Sequence, residues 1–537
     1  SVTGSYDAFM MHVSSAGTID WAIKAGGTSE DEAYGIAYDG HDGAMITGRF
    51  QGTCYFDSSA ASRLVSHGSY DAFAARVLMR DLLPPPPPSQ FTQPRLMWSV
   101  TAGGSSTDLG WAITTGGNDD TFVVGEFRST AVFFNAYLLS SRGDSDAYVF
   151  KLDSAGQAQW ATRMGGTEHD SASGVAAGNL GWALVAGYFG GTAWFGDQIT
   201  LMTSGSYDGY VTGVDAQGVV QWAVKMGGSG DDRATAITSD GAGGAFVTGY
   251  FSGTGYFGSH TLSSRGSNDV FIARVTSTGT ITWAVKVGGG SDDQGQGIAS
   301  DGSGGAYVTG YFGSSATFGS RYLSVMGSTD CFVTHVTGQG VVDWAIRLGG
   351  TSSDRCYGIA NDRGQGFLVT GRFEGSAELG PDVLSTHGSG DIFAVGGNTD
   401  GTFRWAMRAG GTSDDQGRCI ASDGTGGAYI GGYFGGTAWF GPTTMSTLGS
   451  NDGFIMRVSG SGDLVWAART GGTSDDKAYG IALTDVGDAL VTGQFSGTSY
   501  FTANGHGDVN SRIGSSGGVD TYVLRITTRP GPPPPAP

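Results

Sequence analysis

The chain has 537 residues and a formal net charge of −20, from 49 acidic and 29 basic side chains. This charge argues against nucleic acid and anionic membrane surfaces as partners, since both would repel the protein. Membrane insertion is not expected either, because no apolar run approaches the roughly 18 residues of a transmembrane helix. Glycine accounts for 97 residues and no window keeps helical spacing, so the composition disfavours helix.

The chain opens with two predicted strands within residues 4–24, and a tryptophan then marks each of eight repeats. The first interval between tryptophans is 77 residues, and the later ones are 61 or 62. A fixed period of this size indicates a repeat architecture. The tryptophans are Trp21, Trp98, Trp160, Trp222, Trp283, Trp344, Trp405 and Trp466.

Each repeat is predicted to supply four strands, which we call a, b, c and d. Around Gly297 they read GIAS (strand a), AYVTGYF (strand b), DVFIARV (strand c) and TWAVKV (strand d). Short apolar and aromatic runs between Gly, Asp and Ser are typical of strands and hairpins. The segment between b and c leaves room for one more short hairpin. Four antiparallel strands per repeat, arranged radially, predict an all-β, eight-bladed β-propeller over residues 1–528.

Strand c occurs nine times, whereas strands a, b and d occur eight times each. A closed ring then needs a closing blade that takes a and b from the C-terminal end and d from the N-terminal end. Either the first or the last copy of strand c, beginning at Asp7 or Asp520, is left over. We expect that spare strand or the adjacent termini to contribute to contacts between subunits.

Structural roles are predicted for the residues that recur in every repeat. The tryptophan is expected to pack between blades, where an aromatic side chain buries about 150–250 Å². A Gly-Gly pair five residues later should allow positive φ or close approach of backbone. An aspartate ten residues after the tryptophan should accept hydrogen bonds from turn amides. These aspartates are Asp31, Asp108, Asp170, Asp232, Asp293, Asp354, Asp415 and Asp476.

Together these motifs resemble the SBBP-type β-propeller repeat family. The resemblance rests on Trp-Ala-x-x-x-Gly-Gly, the Asp, Gly-Ile-Ala and Tyr-Val-Thr-Gly-Tyr-Phe, and it covers the chain from about Gly4 to Thr528. It implies a propeller of extracellular or cell-surface proteins. The family has no known catalytic residues to transfer to this sequence.

Two proline-rich segments stand apart from the repeats, an insertion at residues 81–97 and a tail at residues 529–537. Consecutive prolines adopt the stiff, extended polyproline II conformation. The segments are interpreted either as spacers or as assembly and modification sites, and they resemble hydroxyproline-rich cell-wall glycoproteins. Because the sequence has no Asn-x-Ser/Thr acceptor, any glycan would be O-linked. The candidate residues are Pro84, Pro85, Pro86, Pro87, Pro88, Ser89, Pro532, Pro533, Pro534 and Pro535.

The sequence predicts no catalytic residues, cofactor or metal site. Its histidines are scattered and form no HExxH pattern. Paired acids such as Asp231-Asp232 lack the spacing of calcium loops, so Ca²⁺ binding is a minor alternative. The cysteines, Cys54, Cys331, Cys356 and Cys419, show no CxxC spacing, and neither metal binding nor a disulfide framework is expected. A pair between Cys356 and Cys419 stays open but is not favoured.

Aromatic residues offer the main alternative function, which is carbohydrate binding. Tyr-Phe pairs recur at the ends of b strands, and Trp194 and Trp439 occur in matching GTAWFG segments. Filling the gaps between blades is the favoured role for these rings. The recurring pairs are Tyr250–Phe251, Tyr311–Phe312 and Tyr433–Phe434.

The sequence therefore favours a non-enzymatic, extracellular or cell-surface structural protein. It would be a propeller subunit of a filament, sheath or wall, with the proline-rich segments as connectors that carry O-linked glycans if they are modified. Its expected partners are further copies of itself or other extracellular structural proteins. The alternative is a cell-surface propeller that binds a glycan or a protein.

Overall fold

The computed structural model describes the side chains of residues 158–469, of most residues between 122 and 153, and of Trp111, Ala112, Thr114 and Lys477. Elsewhere it describes the backbone of the strands given below. Both proline-rich candidate sites, Pro84–Ser89 and Pro532–Pro535, lie outside the described residues.

Strands dominate the described chain, and they recur in the predicted order. Strand a spans Asp31–Tyr38, Leu109–Thr115, Ser171–Ala177, Arg233–Ser239, Asp293–Ser300, Arg355–Asn361, Gln416–Ser422 and Lys477–Leu483. Strand b spans Gly43–Phe50, Thr121–Phe127, Ala183–Phe195, Ala245–Phe251, Ala306–Phe312, Phe367–Phe373, Ala428–Phe440 and Ala489–Ala503. Strand c spans Asp7–Val13, Asp71–Leu78, Asp146–Leu152, Ile199–Val214, Asp269–Val275, Asp330–Val336, Asp391–Gly397, Thr443–Val458 and Arg512–Ile526. Strand d spans Ile19–Gly27, Arg95–Gly104, Ala158–Gly166, Val220–Gly228, Ile281–Gly288, Val342–Gly350, Phe403–Gly411 and Leu464–Gly472. One 3₁₀ turn is described, Asn179–Gly181.

Within a repeat the strands pair antiparallel in the order a–b–c–d. In one repeat Val308 of strand b lies opposite Ile298 of strand a and Thr334 of strand c, and strand c pairs in turn with the following strand d. Every residue of Ala306–Phe312 is buried. A sheet covered on both faces explains why this strand reads as an almost continuous apolar run.

Neighbouring sheets pack face to face, and their a strands contact one another in chain order. The strand Lys477–Leu483 contacts Gln416–Ser422 on one side and Asp31–Tyr38 on the other. The fold is therefore an all-β propeller, as predicted. The count of eight blades and the closure of the ring stay predictions.

Each fully described blade is wider than the four strands predicted. The sheets that begin with Arg233–Ser239 and Asp293–Ser300 have six strands each. Their outer two strands form a hairpin that the next repeat supplies from its segment between b and c. For example, Val287 of one repeat pairs with Phe318 of the next. The hairpin strands are Thr53–Tyr55 with Arg63–Val65, Thr130–Phe133 with Tyr137–Ser140, Thr254–Phe257 with His260–Ser263, Ala316–Phe318 with Arg321–Leu323, and Ser376–Leu379 with Asp382–Ser385.

In three repeats, strands b and c are long and form this hairpin themselves. Ala183–Phe195 and Ile199–Val214 are one such pair, and the ends of the other two pairs are at residues 428–458 and 489–526. In each case the end of strand b pairs with strand d of the preceding repeat. Adjacent blades are thus joined by backbone hydrogen bonds as well as by side chains.

The two terminal copies of strand c lie side by side in one sheet. Arg512–Ile526 pairs antiparallel with Ala489–Ala503, and it pairs parallel with Asp7–Val13 through partners such as Met11 and Leu524. Asp7–Val13 then pairs with strand d, Ile19–Gly27. Neither copy is left over within this sheet. This arrangement corrects the expectation of a spare strand that is free for contacts between subunits.

Candidate functional site

The predicted aspartates before strand a lie at the junctions between blades. Asp293 accepts hydrogen bonds from the amides of Gly289 (2.6 Å) and Gly313 (2.9 Å). The first donor is the second glycine of the Gly-Gly pair, and the other follows the Phe of strand b. Asp170, Asp232, Asp354 and Asp415 accept the same two bonds. The role predicted for this aspartate, as acceptor for turn amides, is confirmed in these five copies.

A second set of buried aspartates lies on strand c, at the position where the sequence pattern places the start of that strand. One oxygen, Oδ2, of Asp269 accepts from the Arg265 amide (3.1 Å) and lies 2.8 Å from Nζ of Lys286, which lies on strand d three residues after the tryptophan. Five further aspartates have an equivalent cation: Asp146, Asp208, Asp330, Asp391 and Asp452. The sequence pattern marked these aspartates as the start of strand c but predicted no partners for them.

The first glycine of the Gly-Gly pair separates the two carboxylates. Gly288 has φ +149°, and a Cβ on it would lie 2.9 Å from Asp269 Oδ1 and 2.9 Å from Asp293 Oδ2. Both predicted reasons for glycine, unusual φ and close approach, therefore apply at this position.

The tryptophan joins its blade to the next one. The indole of Trp283 donates to the carbonyl of Gly338 at 2.9 Å, in the turn between c and d of the following repeat. Gly340 in that turn has φ +77°, and a Cβ there would lie 2.6 Å from the indole. Trp160, Trp222 and Trp344 donate to the equivalent turns. Packing between blades is thus confirmed for these copies.

In each Tyr-Phe pair the phenylalanine lies in the core and the tyrosine lies at the blade junction. Phe251, Phe312 and Phe434 are fully buried, as the gap-filling interpretation predicts. Two of the three tyrosine rings are contacted by cations from the next repeat. Arg355 lies 4.9 Å from the ring of Tyr311, and Lys477 lies 5.0 Å from that of Tyr433. Sugar stacking needs an open ring face, so these contacts count against a carbohydrate platform here.

The two matching tryptophans of the GTAWFG segments also have neighbours. Arg142 lies 4.5 Å above the ring of Trp194. His387 meets Trp439 edge-on at 5.0 Å, and 37% of Trp439 remains exposed. The two positions share a sequence motif but not a common ligand-binding environment.

Cys331 and Cys356 form a disulfide between adjacent blades, with Cα atoms 5.3 Å apart. The expectation that the cysteines form no disulfide is therefore wrong for this pair. Cys331 is the second residue of strand c, and Cys356 is the second residue of strand a in the next repeat. The equivalent pairs also touch, because Val270 Cγ1 would lie 3.1 Å from a Cβ on Gly295 and Ile392 Cγ2 3.2 Å from one on Gly417. In both of these junctions a β-branched residue of strand c faces a glycine of strand a.

The acidic pairs do not converge on a common point. Asp232 faces the blade junction, whereas Asp231 binds Arg233 at 3.0 Å. Among the described side chains, no three His, Cys, Asp or Glu residues form a group that could hold a metal ion. Within the same residues, no helix has the length and hydropathy to cross a membrane.

His335 lines a cavity of about 450 Å³ between two blades. Its Nε2 lies 3.0 Å from Asp301 Oδ2 and its Nδ1 lies 2.9 Å from Asp343 Oδ1. Ser303 donates directly to Asp301 at 2.8 Å. With both ring nitrogens held by carboxylates, His335 is not placed to take a proton from this serine as a catalytic base would. In two other blades Arg274 and Arg457 occupy this position of strand c and bind the matching aspartate.

Large apolar side chains are exposed on the outermost strands of three blades. Leu138, Tyr322 and Val383 are 68%, 67% and 69% exposed. They lie on Tyr137–Ser140, Arg321–Leu323 and Asp382–Ser385, the outer strands of the shared hairpins. Within the described chain these strands pair along one edge, so their other edge presents backbone groups to solvent.

No family model matches the chain. It is 27% identical over 418 residues to the regulatory protein FlaEY of Caulobacter vibrioides, covering 72% of this chain and 43% of that protein. It is also 18% identical over 533 residues to the uncharacterized WD repeat-containing protein L264 of Acanthamoeba polyphaga mimivirus, covering 81% and 38%. The chain thus spans less than half the length of these curated relatives.

Two solved structures show limited likeness. One is the WD40 domain of Neurospora crassa Pan2, with 11% identity, 74% of this chain and 86% of that chain covered, and a TM-score of 0.35. The other is the V. cholerae biofilm matrix protein Bap1, with 12% identity, 76% and 78% covered, and a TM-score of 0.21. The WD-repeat relative agrees with a propeller repeat protein, whereas the SBBP-type resemblance stays a prediction.

Proposed function

We propose that this propeller is a non-enzymatic subunit of an extracellular filament, sheath or wall, and that it associates through the outer strands of its blades. The observation that carries the proposal is the repeated exposure of Leu138, Tyr322 and Val383 on strands with an open edge. An open edge bearing apolar side chains can pair with a strand of another molecule.

The buried disulfide supports the extracellular location. Disulfides such as Cys331–Cys356 persist in oxidising compartments and are rare in reducing ones. The proline-rich segments, residues 81–97 and 529–537, would connect or space the subunits, with Pro84–Ser89 and Pro532–Pro535 as sites of hydroxylation and O-glycosylation.

Sedimentation of the purified chain tests the assembly. We expect concentration-dependent association that weakens in the triple variant Leu138→Lys, Tyr322→Lys, Val383→Lys, because a charged side chain opposes edge pairing. Val341→Lys is the matched control, since Val341 is also exposed (57%) but lies in a turn between c and d. A monomer at every concentration, or equal association of both variants, would contradict the proposal.

Two measurements on protein from its native source test the location and the connectors. Peptide mapping without reductant should recover the Cys331–Cys356 bridge, and protease applied to intact cells should cleave the exposed protein. Mass spectrometry of peptides that span residues 81–97 and 529–537 should find hydroxylated or glycosylated forms. Reduced cysteines and unmodified prolines would count against an extracellular, glycosylated connector.

A further inference from the structure

The blade junctions contain an excess of buried carboxyl groups over cations. At five described junctions an aspartate of strand c lies close to the aspartate that comes ten residues after the tryptophan, and at Gly227, Gly288 and Gly349 both carboxyl groups lie next to the same glycine. At Gly227 a Cβ would lie 2.8 Å from Asp208 Oδ1 and 2.7 Å from Asp232 Oδ2. Both side chains are fully buried. The same pairs recur as Asp146/Asp170, Asp269/Asp293, Asp330/Asp354 and Asp391/Asp415.

Hydrogen-bond donors account for three of the four oxygens in a pair. Asp232 accepts hydrogen bonds from the backbone amides of Gly228 (2.6 Å) and Ser252 (2.8 Å). Asp208 Oδ2 accepts the Ser204 amide at 3.0 Å and binds Lys225 at 2.8 Å. Asp208 Oδ1 is buried and accepts no hydrogen bond. The same is true of Oδ1 in Asp146, Asp269, Asp330 and Asp391. A buried carboxylate oxygen without a donor is costly.

We propose that each of these junctions holds one shared proton, which sits on the aspartate before strand a and is donated to the orphan oxygen of the strand-c aspartate. One proton and one cation then neutralise two carboxylates. At the Asp208/Asp232 junction the proton on Asp232 Oδ2 bonds to Asp208 Oδ1, and Lys225 neutralises Asp208. Hydrogen bonds between a carboxylic acid and a carboxylate thereby hold neighbouring blades together, and these contacts weaken when the protons leave.

Other charged groups around the pairs do not remove the excess of acid. Asp232 faces Asp208 and Lys225, with the Asp231–Arg233 ion pair beside it. The remaining junctions add further acids or cations of their own. These are Glu168, Arg142 and Arg163 near Asp170 and Asp146; Asp292, Arg265 and Lys286 near Asp293 and Asp269; Glu374, Glu378 and Arg347 near Asp354 and Asp330; and Asp414, His387 and Arg408 near Asp415 and Asp391.

The direction of titration agrees with this geometry. Burial raises the pKa of Asp232, Asp293, Asp354 and Asp415 to about 7 and that of Asp170 to about 8. It also raises the pKa of the partner aspartates Asp146, Asp269, Asp330 and Asp391, so both members of these four pairs favour a bound proton, and the orphan oxygen on strand c is what assigns the proton to the other aspartate. Because the folded pKa exceeds the unfolded value of 3.8, the folded state binds the extra protons. Their stabilisation is complete below the unfolded pKa and is lost as pH rises, between about pH 4 and pH 8.

The experiment compares melting temperature against pH for the intact chain and for Asp208→Asn. The new amide would donate from the position of the orphan oxygen to an ionised Asp232, so the junction would no longer need a proton. We expect the wild-type melting temperature to fall from about pH 5 to about pH 8, and the variant to lose part of that fall. Combining Asp208→Asn with Asp269→Asn and Asp330→Asn should flatten the curve further. Asp382→Asn, at an exposed edge strand, is the control and should leave the slope unchanged.

Infrared spectroscopy of the unmodified protein provides a readout that does not depend on how the variants fold. A carboxylic acid carbonyl band should persist at about pH 6, where exposed aspartates are ionised, and should disappear at higher pH. No such band, or a slope that Asp208→Asn leaves unchanged, would overturn the proposal.

Discussion

At the scale of single residues, the junctions depend on glycines that meet two demands at once. Gly288 adopts φ +149°, and it also leaves space for two carboxyl groups that would lie 2.9 Å from a Cβ. Either demand alone would favour glycine, and together they leave no other residue that fits without strain. The recurrence of Gly-Gly five residues after each tryptophan follows from this geometry.

Substitution of Gly288 tests this account directly. We expect Gly288→Ala to destabilise the protein by about 2–3 kcal/mol, through backbone strain and displacement of Asp269 and Asp293. The measurement is thermal unfolding. Gly290→Ala is the control because Gly290 is exposed and a Cβ there would lie 3.6 Å from its nearest neighbour, Ser314. Equal melting temperatures for the two variants would refute the steric argument.

Residue roles were predictable from the sequence where they depend on local contacts. The Asp ten residues after the tryptophan binds an amide four residues earlier, a bond such as that from Gly289 to Asp293. The pairing of Asp293 with Asp269 was not predictable, because it depends on how strand d turns into the next blade. A period shows which positions recur, but it does not show which recurring positions meet.

At the scale of elements, neighbouring blades share structure rather than simply touching. The hairpin between b and c belongs to one repeat in sequence and to the preceding blade in space, as the pairing of Val287 with Phe318 shows. The sequence predicted the hairpin but not its attachment, because short strands of this kind carry no signal for their partner. The second glycine of each pair makes the attachment possible, since a Cβ on Gly350 would lie 1.7 Å from the carbonyl oxygen of Ser376.

The disulfide joins the same two elements that pack elsewhere without a covalent bond. Closure of a loop with a sequence separation of 25 residues should stabilise the folded state by about 3 kcal/mol. We expect a reductant to lower the melting temperature of the native protein. The double variant Cys331→Val, Cys356→Gly, which copies the Val270/Gly295 contact, should fold and should show no response to the reductant.

Cys419→Ala serves as the control for this prediction, because Cys419 is a free cysteine in the structure. It should respond to reductant as the native protein does. An unchanged melting temperature of the native protein in reductant would contradict a stabilising bridge between the blades.

At the scale of the whole molecule, the two ends of the chain meet in one sheet, and the predicted closure of the ring depends on that sheet. In that sheet Asp7–Val13 and Arg512–Ile526 pair in parallel, whereas the other named pairings within blades are antiparallel. The sequence correctly showed that strand c occurs once more often than the other three strands. The place of the extra copy could not be predicted, because insertion of a strand between c and d has no separate sequence signal.

A cross-linking experiment tests the closure and the blade count together. Met11 and Leu524 are partners across the parallel pair, so Met11→Cys with Leu524→Cys should form a bridge under mild oxidation. Val491 lies one strand further away, opposite Leu524. Two strand spacings of about 4.8 Å each separate Met11 from Val491, and this distance exceeds the reach of a disulfide. The pair Met11→Cys with Val491→Cys should therefore not cross-link.

Averaged electron micrographs of the bridged protein should show a closed disc of eight blades, because every repeat then supplies one sheet. Absence of the bridge between Met11→Cys and Leu524→Cys, or an open row of sheets, would contradict the closed ring, and a bridge in both pairs would contradict the strand order.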